Sequence, residues 1–307
     1  MVLCEMSFMF DSFWATWALL TALGGVSIFF MSGSIFWAYY WKPTYEQWIM
    51  KTNPVYPPVL KVRDEIIQTT KSLMAATLVP ALTLWLAARG RSQAYCGLGE
   101  GHFGLSAPAY LIAQFIVFWV ASDFYEFAYH QLGHRVPFLW GVHKHHHAFH
   151  NPTPFAVIAD EAYDQLVRTA PLILIPLLVP TNMDLLFTQF AIFFYAYGVY
   201  LHWGYESTMI SPHNPLVNTA YEHYYHHAIS AGSTPIYTGF FFKLWDQLAG
   251  TTQKNACVCA RCEQKAGRRS REAWASVVKP DYSELLNVSF WGGAIKEAFV
   301  SSSSKEA

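Results

Sequence analysis

The sequence predicts an all-α, polytopic membrane protein, with about four to five transmembrane helices and a histidine-rich helical region at one end. Three observations support this prediction. Of the 307 residues, 53% are hydrophobic and only 13% are charged, whereas soluble domains carry roughly 25% charged residues. Several uncharged runs are long enough to form membrane helices. Finally, 12 of the 13 histidines lie between His130 and His227.

The same composition excludes several classes of protein. A disordered chain would be polar and poor in aromatic residues, but 17% of this chain is aromatic. A nucleic-acid-binding protein would usually be basic, and here 20 Lys and Arg residues nearly balance 21 Asp and Glu residues. Five cysteines in a chain of this length do not indicate a disulfide scaffold. We therefore expect the membrane, and no nucleic acid, as a partner.

The membrane helices are predicted from runs without a charged residue. A helix needs ~20 mostly apolar residues to cross the hydrocarbon core. We interpret the first run as one span and the others as two hairpins, although the prolines in the fourth run leave open a re-entrant or interfacial pair. The five runs are Ser12–Trp41, Ser72–Ala88, Gly101–Ser122, Thr169–Met183 and Leu185–Tyr205.

The orientation follows from the basic residues. If each hairpin returns to the side on which it starts, 18 of the 20 Lys and Arg residues share one face. Only Arg89 and Arg91 then lie opposite. Because basic loops stay in the cytosol, we predict that the basic face is cytosolic. All the histidine motifs lie on that face.

Three histidine motifs have the spacing of a helical face. The first is a His-x-x-x-His pair, and the pattern His-x-x-His-His then occurs twice. Residues at i, i+3 and i+4 lie on neighbouring positions of a helix surface, so each motif is expected to present its imidazoles together. The eight motif histidines are His130, His134, His143, His146, His147, His223, His226 and His227.

These clusters predict a metal centre. Imidazole is a good ligand for iron, zinc, copper and nickel, and eight imidazoles exceed the needs of one ion, so we predict two metals. No His-Glu-x-x-His sequence is present, which excludes the zinc-protease pattern. Asp123 and Glu126 lie along the same side of the helix as His130 and His134. They are candidates to orient ligating histidines by hydrogen bonding.

The other histidines and the cysteines receive simpler interpretations. His102, His150 and His213 are predicted to be ordinary hydrogen-bonded side chains, and His145 is predicted to support the centre without ligating. Three cysteines, at positions 257, 259 and 262, have metal-like spacing. A structural zinc site needs a fourth ligand, however, and no histidine follows them. We therefore predict reduced thiols in a cytosolic tail.

The three motifs, placed among apolar spans, resemble the fatty acid hydroxylase/sterol desaturase superfamily. The resemblance runs from about Lys42 to about Thr251 and is most detailed toward the sterol C-5 desaturases, or lathosterol oxidases. The triple histidine motif is specific for the superfamily, and the flanking stretches are moderately specific for the subfamily. Those stretches are His143–His147, Asn151–Ala156, Leu201–Gly204 and Phe242–Gly250.

The resemblance implies that the eight motif histidines ligate two non-haem iron ions, with His202 as a ninth ligand. It also implies O2-dependent hydroxylation or desaturation of a lipid in the endoplasmic reticulum membrane, with the metal site facing the cytosol. Electrons would come from NAD(P)H through a reductase and cytochrome b5. Residues 1–252 would form the membrane-embedded domain of this type, with its catalytic histidine region at 123–250, and residues 253–307 a cytosolic C-terminal tail.

The chain departs from the C-5 desaturase pattern at two positions, where Glu161 and Glu222 stand in place of histidines. Because ligating imidazoles often donate their second N–H group to a carboxylate, both glutamates are candidates to support the metal ligands. A sterol is the expected substrate, and hydroxylation of a fatty acyl, sphingolipid or methylsterol group is the alternative. A b-type haem protein for electron transfer is an alternative of another class. A metal transporter is a weaker one, since transporters bind their ions near the bilayer midplane.

Overall fold

The computed structural model describes residues 11–229 and 235–300. Nearly every element in these ranges is helical, which confirms the predicted fold class. Among the described residues, four segments are long and apolar enough to cross a membrane, in agreement with the predicted four to five spans. They are Phe13–Trp41, Val59–Ala87, Ala107–Arg135 and Met183–His202.

The first three spans follow one another in sequence and are joined by the connections at 42–58 and 88–106. Ser12 caps the first helix, because its side chain accepts a hydrogen bond from the Ala15 N–H group. The second span is interrupted at Thr77, where one helix ends and the next begins. The helices are α1 (Phe13–Phe36, extended by a π-helical turn at Trp37–Trp41), α2 (Tyr45–Trp48), α3 (Val59–Ala76), α4 (Leu78–Ala87) and α5 (Ala107–Arg135).

The chain after α5 turns at one end of the bundle and then runs back along it. A proline begins the next helix directly after α5, at the N-terminal position where proline is tolerated. Two short helices separated at Thr169 make the return pass. These elements are α6 (Pro137–His143), 3₁₀ turns at His146–Ala148 and Pro154–Ile158, α7 (Ala162–Arg168) and α8 (Ala170–Leu178).

A small sheet identifies where this return pass ends. Strand β1 (Ala94–Tyr95) lies in the loop between α4 and α5, and it pairs in parallel with β2 (Thr181–Asn182). This sheet therefore marks the bundle end opposite to the C-terminus of α5. Since β2 directly follows α8, helices α7 and α8 span the length of the bundle as a fifth, interrupted pass. Among the described residues, this pass is not one of the four candidate spans, so a fifth full crossing at 169–183 stays a prediction.

The rest of the chain contributes the fourth long span and a cap of short helices. The span contains a π-helical turn, a feature often found at functional sites. Its parts are α9 (Met183–Gln189), the π-helical turn Phe190–Ala196 and α10 (Tyr197–His202). The cap contains α11 (Ala220–Ile229), α12 (Leu244–Ala249), α13 (Ala260–Lys265), α14 (Arg271–Ala275), a 3₁₀ turn at Tyr282–Leu286 and α15 (Val288–Val300).

The C-terminal segment packs onto the connection between α1 and α3. Tyr282 is buried with Phe36 and Tyr40, and its hydroxyl donates to the Pro57 carbonyl at 2.7 Å. The Tyr45 hydroxyl donates to a backbone carbonyl of the same segment, at position 269, at 2.9 Å. Much of the predicted tail is therefore folded against the cap. Its end, residues 301–307, lies outside the described residues, and the boundary at 252 stays a prediction.

An apolar cavity of about 270 Å³ lies inside the bundle. It is lined by α1, the α3–α4 span, α8 and the fourth span, and it is partly open to its surroundings. Apolar side chains make up most of its wall, including Ile28, Leu73, Leu172, Phe190 and Tyr195. Such a cavity can hold part of a lipid against apolar side chains.

Candidate metal centre

Nine histidines converge where α5, α6, α10 and α11 meet at one end of the bundle. They are the eight motif histidines and His202, and each is at most 5% exposed. Helix α5 carries two of them in its last turns, and α6 with the 3₁₀ turn after it carries three. Helix α10 ends on His202, and α11 carries the final three.

The nine side chains form two groups. In each group, every histidine offers one ring nitrogen as a potential ligand atom, and these nitrogens all lie within 4.8 Å of one another. We call these the five-histidine group and the four-histidine group. The first contains His130, His134, His143, His147 and His226, and the second contains His146, His202, His223 and His227.

Each His-x-x-His-His motif contributes to both groups, and helix geometry explains this for the motif on α11. On α11, His223 and His227 are four residues apart and join the same group, whereas His226 points to the other. Positions i and i+4 differ by about 40° around the helix, and position i+3 lies about 60° away in the opposite direction. The pair His143 and His147 is likewise divided from His146, but this motif runs from the end of α6 into a 3₁₀ turn and does not form one continuous α-helix. The predicted common face is therefore divided between two neighbouring sites.

The inner nitrogens approach one another closely. In the five-histidine group, Nε2 of His226 lies 3.2 Å from Nε2 of His134 and 3.1 Å from Nε2 of His147. In the four-histidine group, Nε2 of His223 lies 2.9 Å from Nε2 of His202 and 3.2 Å from Nε2 of His227. Such crowding of imidazole nitrogens is the arrangement that a shared cation requires.

Two further nitrogens support the fit to a metal. The Nε2 atoms of His130 and His143 are buried, and no hydrogen-bond partner for either is present among the described residues. Leaving a buried polar atom unpaired is unfavourable, and coordination of a metal would satisfy both. The donor set, nine neutral imidazoles, suits iron, copper, nickel or zinc.

Backbone carbonyls hold several rings from the outer side. The Nδ1 atoms of His130, His226 and His202 lie 2.9, 2.8 and 2.8 Å from the carbonyl oxygens of Thr238, residue 236 and residue 198. Donation from Nδ1 sets the tautomer and leaves the Nε2 lone pair for a metal. The centre is thus oriented by its surroundings as well as by its helices.

A buried charge network borders the four-histidine group. Asp160 Oδ1 lies 2.6 Å from His146 Nδ1. Arg168 donates to the second oxygen of Asp160 at 2.8 Å and pairs with Glu126 at 3.0 Å. Asp164, one turn after Asp160, lies 3.6 Å from His143 Nδ1. Two aspartates and one arginine therefore link both histidine groups to the start of the return pass.

Burial sets the charge state of these groups. It lowers the histidine pKa values because the protonated form loses its hydration, and neighbouring imidazoles lower them further. This applies to His143, His147, His223, His226 and His227. Burial alone would raise the pKa of Asp160, but His146 and Arg168 outweigh it and hold that pKa well below its usual range. The neutral imidazole is the form that binds metals.

Two of the predicted carboxylates lie on α5, and their hydrogen bonds and ion pairs go to residues other than the histidines. Asp123 accepts hydrogen bonds from the Phe241 and Phe242 N–H groups at 2.8 and 3.1 Å, and from the Trp245 ring at 2.8 Å. It thereby ties α5 to the segment that precedes α12. Glu126 pairs with Arg168 at 3.0 Å, as described above.

The other two predicted carboxylates also contact different partners. Glu222 accepts from the Thr219 N–H group at 2.8 Å and pairs with Lys243 at 2.6 Å, which fastens the start of α11. Glu161 lies 3.2 Å from His145 Nδ1; His145 is exposed, and Glu161 is partly exposed. Their functional roles stay predictions. Sequence reasoning selected Glu161 and missed its neighbour Asp160, although Asp160 and Asp164 follow the i, i+4 spacing that the histidine motifs display.

The remaining histidines have separate environments. His150 Nδ1 lies 3.2 Å from the His227 carbonyl oxygen, which places it behind the four-histidine group. His102 lies at the opposite end of the bundle, where its ring packs against Tyr110. His213 lies beside the three cysteines of the C-terminal segment.

Comparison with known proteins supports these observations. The fatty acid hydroxylase family model matches residues 115–251, which include all nine histidines. A Delta(7)-sterol 5(6)-desaturase of Aspergillus fumigatus is 27% identical over 238 residues, 77% of this chain and 62% of the relative. Its counterpart in Gibberella zeae is 28% identical over 237 residues, 76% and 61% of the two chains. Human lathosterol oxidase is 26% identical over 236 residues, 76% of this chain and 73% of the relative.

The matched region of this chain thus spans about three-fifths of the two fungal relatives. No solved structure gives a significant match. The family match, the three sterol-enzyme relatives and the histidine motifs agree with one another. Residues 115–251 are thus similar to the fatty acid hydroxylase family, and the chain is similar to Delta(7)-sterol 5(6)-desaturases and lathosterol oxidase.

Proposed function

We propose that this chain is a membrane-bound, non-haem di-iron oxidoreductase that uses O2 to desaturate or hydroxylate a lipid, with a sterol as its substrate. The observation that carries the proposal is the convergence of nine buried histidines into two adjacent groups. Two such groups provide ligands for two metal ions, and the superfamily relationship favours iron among the metals that imidazole binds.

The two iron ions would be held by the five-histidine and four-histidine groups. When bound, they would supply the activation of O2 that the cleavage of an unactivated C–H bond requires. Burial favours the neutral imidazoles. Asp160 and the carbonyl groups that accept from Nδ1 orient the rings. The buried position of all nine histidines excludes bulk water from the centre.

A route for the lipid is suggested by two neighbouring cavities. The apolar cavity of about 270 Å³ shares Phe190 and Tyr195 with a smaller cavity of about 50 Å³. The smaller cavity also borders Glu126 and Arg168, whose ion pairs lead to the four-histidine group. We infer that the lipid body occupies the larger cavity and that its reacting end points toward the smaller one. Fixing one carbon near the centre would supply much of the rate enhancement.

The sterol assignment rests on the relatives, whose names describe Delta(7)-sterol desaturation and lathosterol oxidation. Hydroxylation of a fatty acyl, sphingolipid or methylsterol group is the alternative within the superfamily. Lipid profiling of cells that express the chain separates these outcomes, because a new sterol double bond, a hydroxylated sterol and a hydroxylated acyl chain differ in mass or retention.

We further propose that the protein lies in the endoplasmic reticulum membrane, with its metal centre facing the cytosol, and that NAD(P)H supplies electrons through cytochrome b5 and its reductase. The positive-inside pattern supports this orientation. Cys96, in the loop at the opposite end of the bundle, is disulfide-bonded. Disulfides persist in an oxidising compartment, which agrees with a lumenal position for that loop.

The central experiment compares two adjacent histidines in the purified protein. His146→Ala removes a member of the four-histidine group, whereas His145→Ala removes an exposed neighbour that contacts Glu161. We expect about two iron ions per chain in the parent protein and in His145→Ala, and loss of iron and lipid oxidation in His146→Ala. Equal iron and activity in both variants would contradict the proposal. A Soret absorption band would instead support the haem alternative.

A further inference from the structure

A second cluster of potential metal ligands lies outside the histidine centre. It joins His213, in the loop before α11, to Cys257, Cys259 and Cys262 around the start of α13. The sequence spacing of the cysteines leaves the fourth ligand unidentified, because the histidine precedes them by more than forty residues. The fold brings all four side chains together, with their ligand atoms within 4.8 Å of one another.

The distances match those of a tetrahedral zinc site. His213 Nε2 lies 3.5 Å from the Cys257 sulfur, 3.3 Å from the Cys259 sulfur and 3.5 Å from the Cys262 sulfur. With Zn–S bonds of about 2.3 Å and Zn–N bonds of about 2.0 Å, tetrahedral geometry separates sulfur from nitrogen by about 3.5 Å. One ion can therefore contact all four atoms with little movement of the side chains.

The surroundings also suit a bound cation. The backbone N–H group of Cys259 lies 3.4 Å from the Cys257 sulfur, and such contacts stabilise a thiolate that ligates metal. Cys259 is fully buried, whereas Cys257 and Cys262 are half-buried and His213 is exposed. Burial in the absence of a cation raises the pKa of the Cys259 thiol. A metal would reverse this effect, since it binds the deprotonated sulfur.

We propose that His213, Cys257, Cys259 and Cys262 form a structural Zn²⁺ site. Its four protein ligands fill a tetrahedral shell and leave no open position for substrate, which distinguishes a structural site from a catalytic one. None of the four residues belongs to the nine-histidine centre, so this proposal is independent of the proposed function. Zinc is favoured over iron here because three thiolates and one imidazole are typical structural zinc ligands.

The position of the site indicates what the zinc would stabilise. Cys259 packs with Tyr221 and Tyr225, which lie on α11 together with three of the metal-centre histidines. The Tyr221 hydroxyl accepts from the Val258 N–H group at 3.3 Å. Arg261 donates to the Ser207 carbonyl at 2.8 Å, beside the loop that carries His213. The zinc would thus fasten the C-terminal segment to the back of α11.

The test begins with metal analysis of the full-length protein in detergent, after dialysis against a chelator. We expect about one zinc per chain in addition to iron, and X-ray absorption at the zinc edge should give three sulfur ligands and one nitrogen. A thiol-specific mercurial should release the zinc in proportion to the sulfur that it modifies. Absence of zinc, a nitrogen-only shell or a disulfide among the three cysteines would each overturn the proposal. These measurements need no variant, so they do not depend on variant folding.

Variants then assign the zinc to this site. His213→Ala and Cys262→Ser should reduce zinc to background while iron remains, whereas His146→Ala should lose iron and keep the zinc. The opposite pattern, with zinc lost only in His146→Ala, would show that zinc had entered the histidine centre and would refute the assignment. His102→Ala, at the far end of the bundle, is the matched histidine control and should retain both metals.

Discussion

Asp160→Asn is the substitution that tests most directly how the surroundings of the four-histidine group control metal binding. The side chain is fully buried, and its two oxygens face His146 and Arg168 at 2.6 and 2.8 Å. The amide has nearly the same shape but removes one negative charge. His146 then loses its anionic partner, and Arg168 keeps only the ion pair with Glu126 at 3.0 Å.

The expected loss can be estimated from comparable contacts. Removing a carboxylate that orients a ligating histidine typically lowers metal affinity 10- to 100-fold, or about 1.4–2.7 kcal/mol. Removing one partner of a buried ion pair can cost about 3–5 kcal/mol of stability. The remaining pair between Arg168 and Glu126 should keep the cost for Asp160→Asn near or below the lower limit of that range.

The assay is a titration of the iron-loaded protein with a competing chelator. In Asp160→Asn, the iron held by the four-histidine group should be extracted at a 10- to 100-fold lower chelator concentration than in the parent protein. The iron in the five-histidine group should be released at the same concentration as in the parent protein. Glu161→Gln is the matched control, because the adjacent glutamate is partly exposed and contacts only His145 in the described network. Parent-like extraction from Asp160→Asn, or an equal effect of Glu161→Gln, would refute the reasoning.

Three further predictions follow from burial and packing. The metal-free protein should lose stability as the pH falls below about 6.5, the ordinary histidine pKa. Burial lowers the pKa values of residues such as His143 and His226, so the unfolded chain binds protons before the folded chain does. A melting temperature that stays constant from pH 7.5 to about 5 would contradict this prediction. Gly24→Leu should fill part of the apolar cavity and reduce lipid oxidation several-fold, with iron retained. Gly33→Leu is the control and should keep parent-like lipid oxidation, because a Cβ atom at Gly33 meets nothing within 4 Å. Equal turnover by both variants would exclude this cavity as the lipid site. Burial, and to a smaller extent Arg269, lower the pKa of Lys51 to about 7. Lys51→Met should therefore raise the melting temperature at pH 7, and this gain should shrink as the pH rises toward about 10.5. A lower melting temperature of the variant at pH 7 would show that the contacts of the Lys51 ammonium with the Tyr40 and Tyr56 rings, at 5.1 and 5.2 Å, dominate.

The arrangement of the two histidine groups has a simple physical origin. Each His-x-x-His-His motif presents an i, i+4 pair to one group and its i+3 member to the other. Because both motifs do so, two adjacent sites are formed from three segments of chain and His202. A single substitution at an i+3 position, such as His226, should therefore weaken one site before the other.

Much of the fold and most of the candidate site could be predicted from local sequence patterns. Long uncharged runs determine membrane helices, because hydrocarbon does not tolerate charged groups or unsatisfied backbone groups. Histidine spacing likewise determines which imidazoles share a helix surface. These properties belong to single segments, so the spans and eight of the nine clustered histidines were predictable. His202 lies alone at the end of its span, and only its resemblance to the family pattern identified it.

Contacts between distant segments were decided only by the tertiary structure. Asp160 and Glu161 are equally acidic in sequence, but the turn before α7 buries Asp160 against His146 and leaves Glu161 at the surface. His213 meets the three cysteines because the C-terminal segment folds back over α11. Local spacing determines which side of its own helix a residue occupies. The packing of separate segments determines which partner it meets there, and this is why the second ligand cluster became visible only in the folded chain.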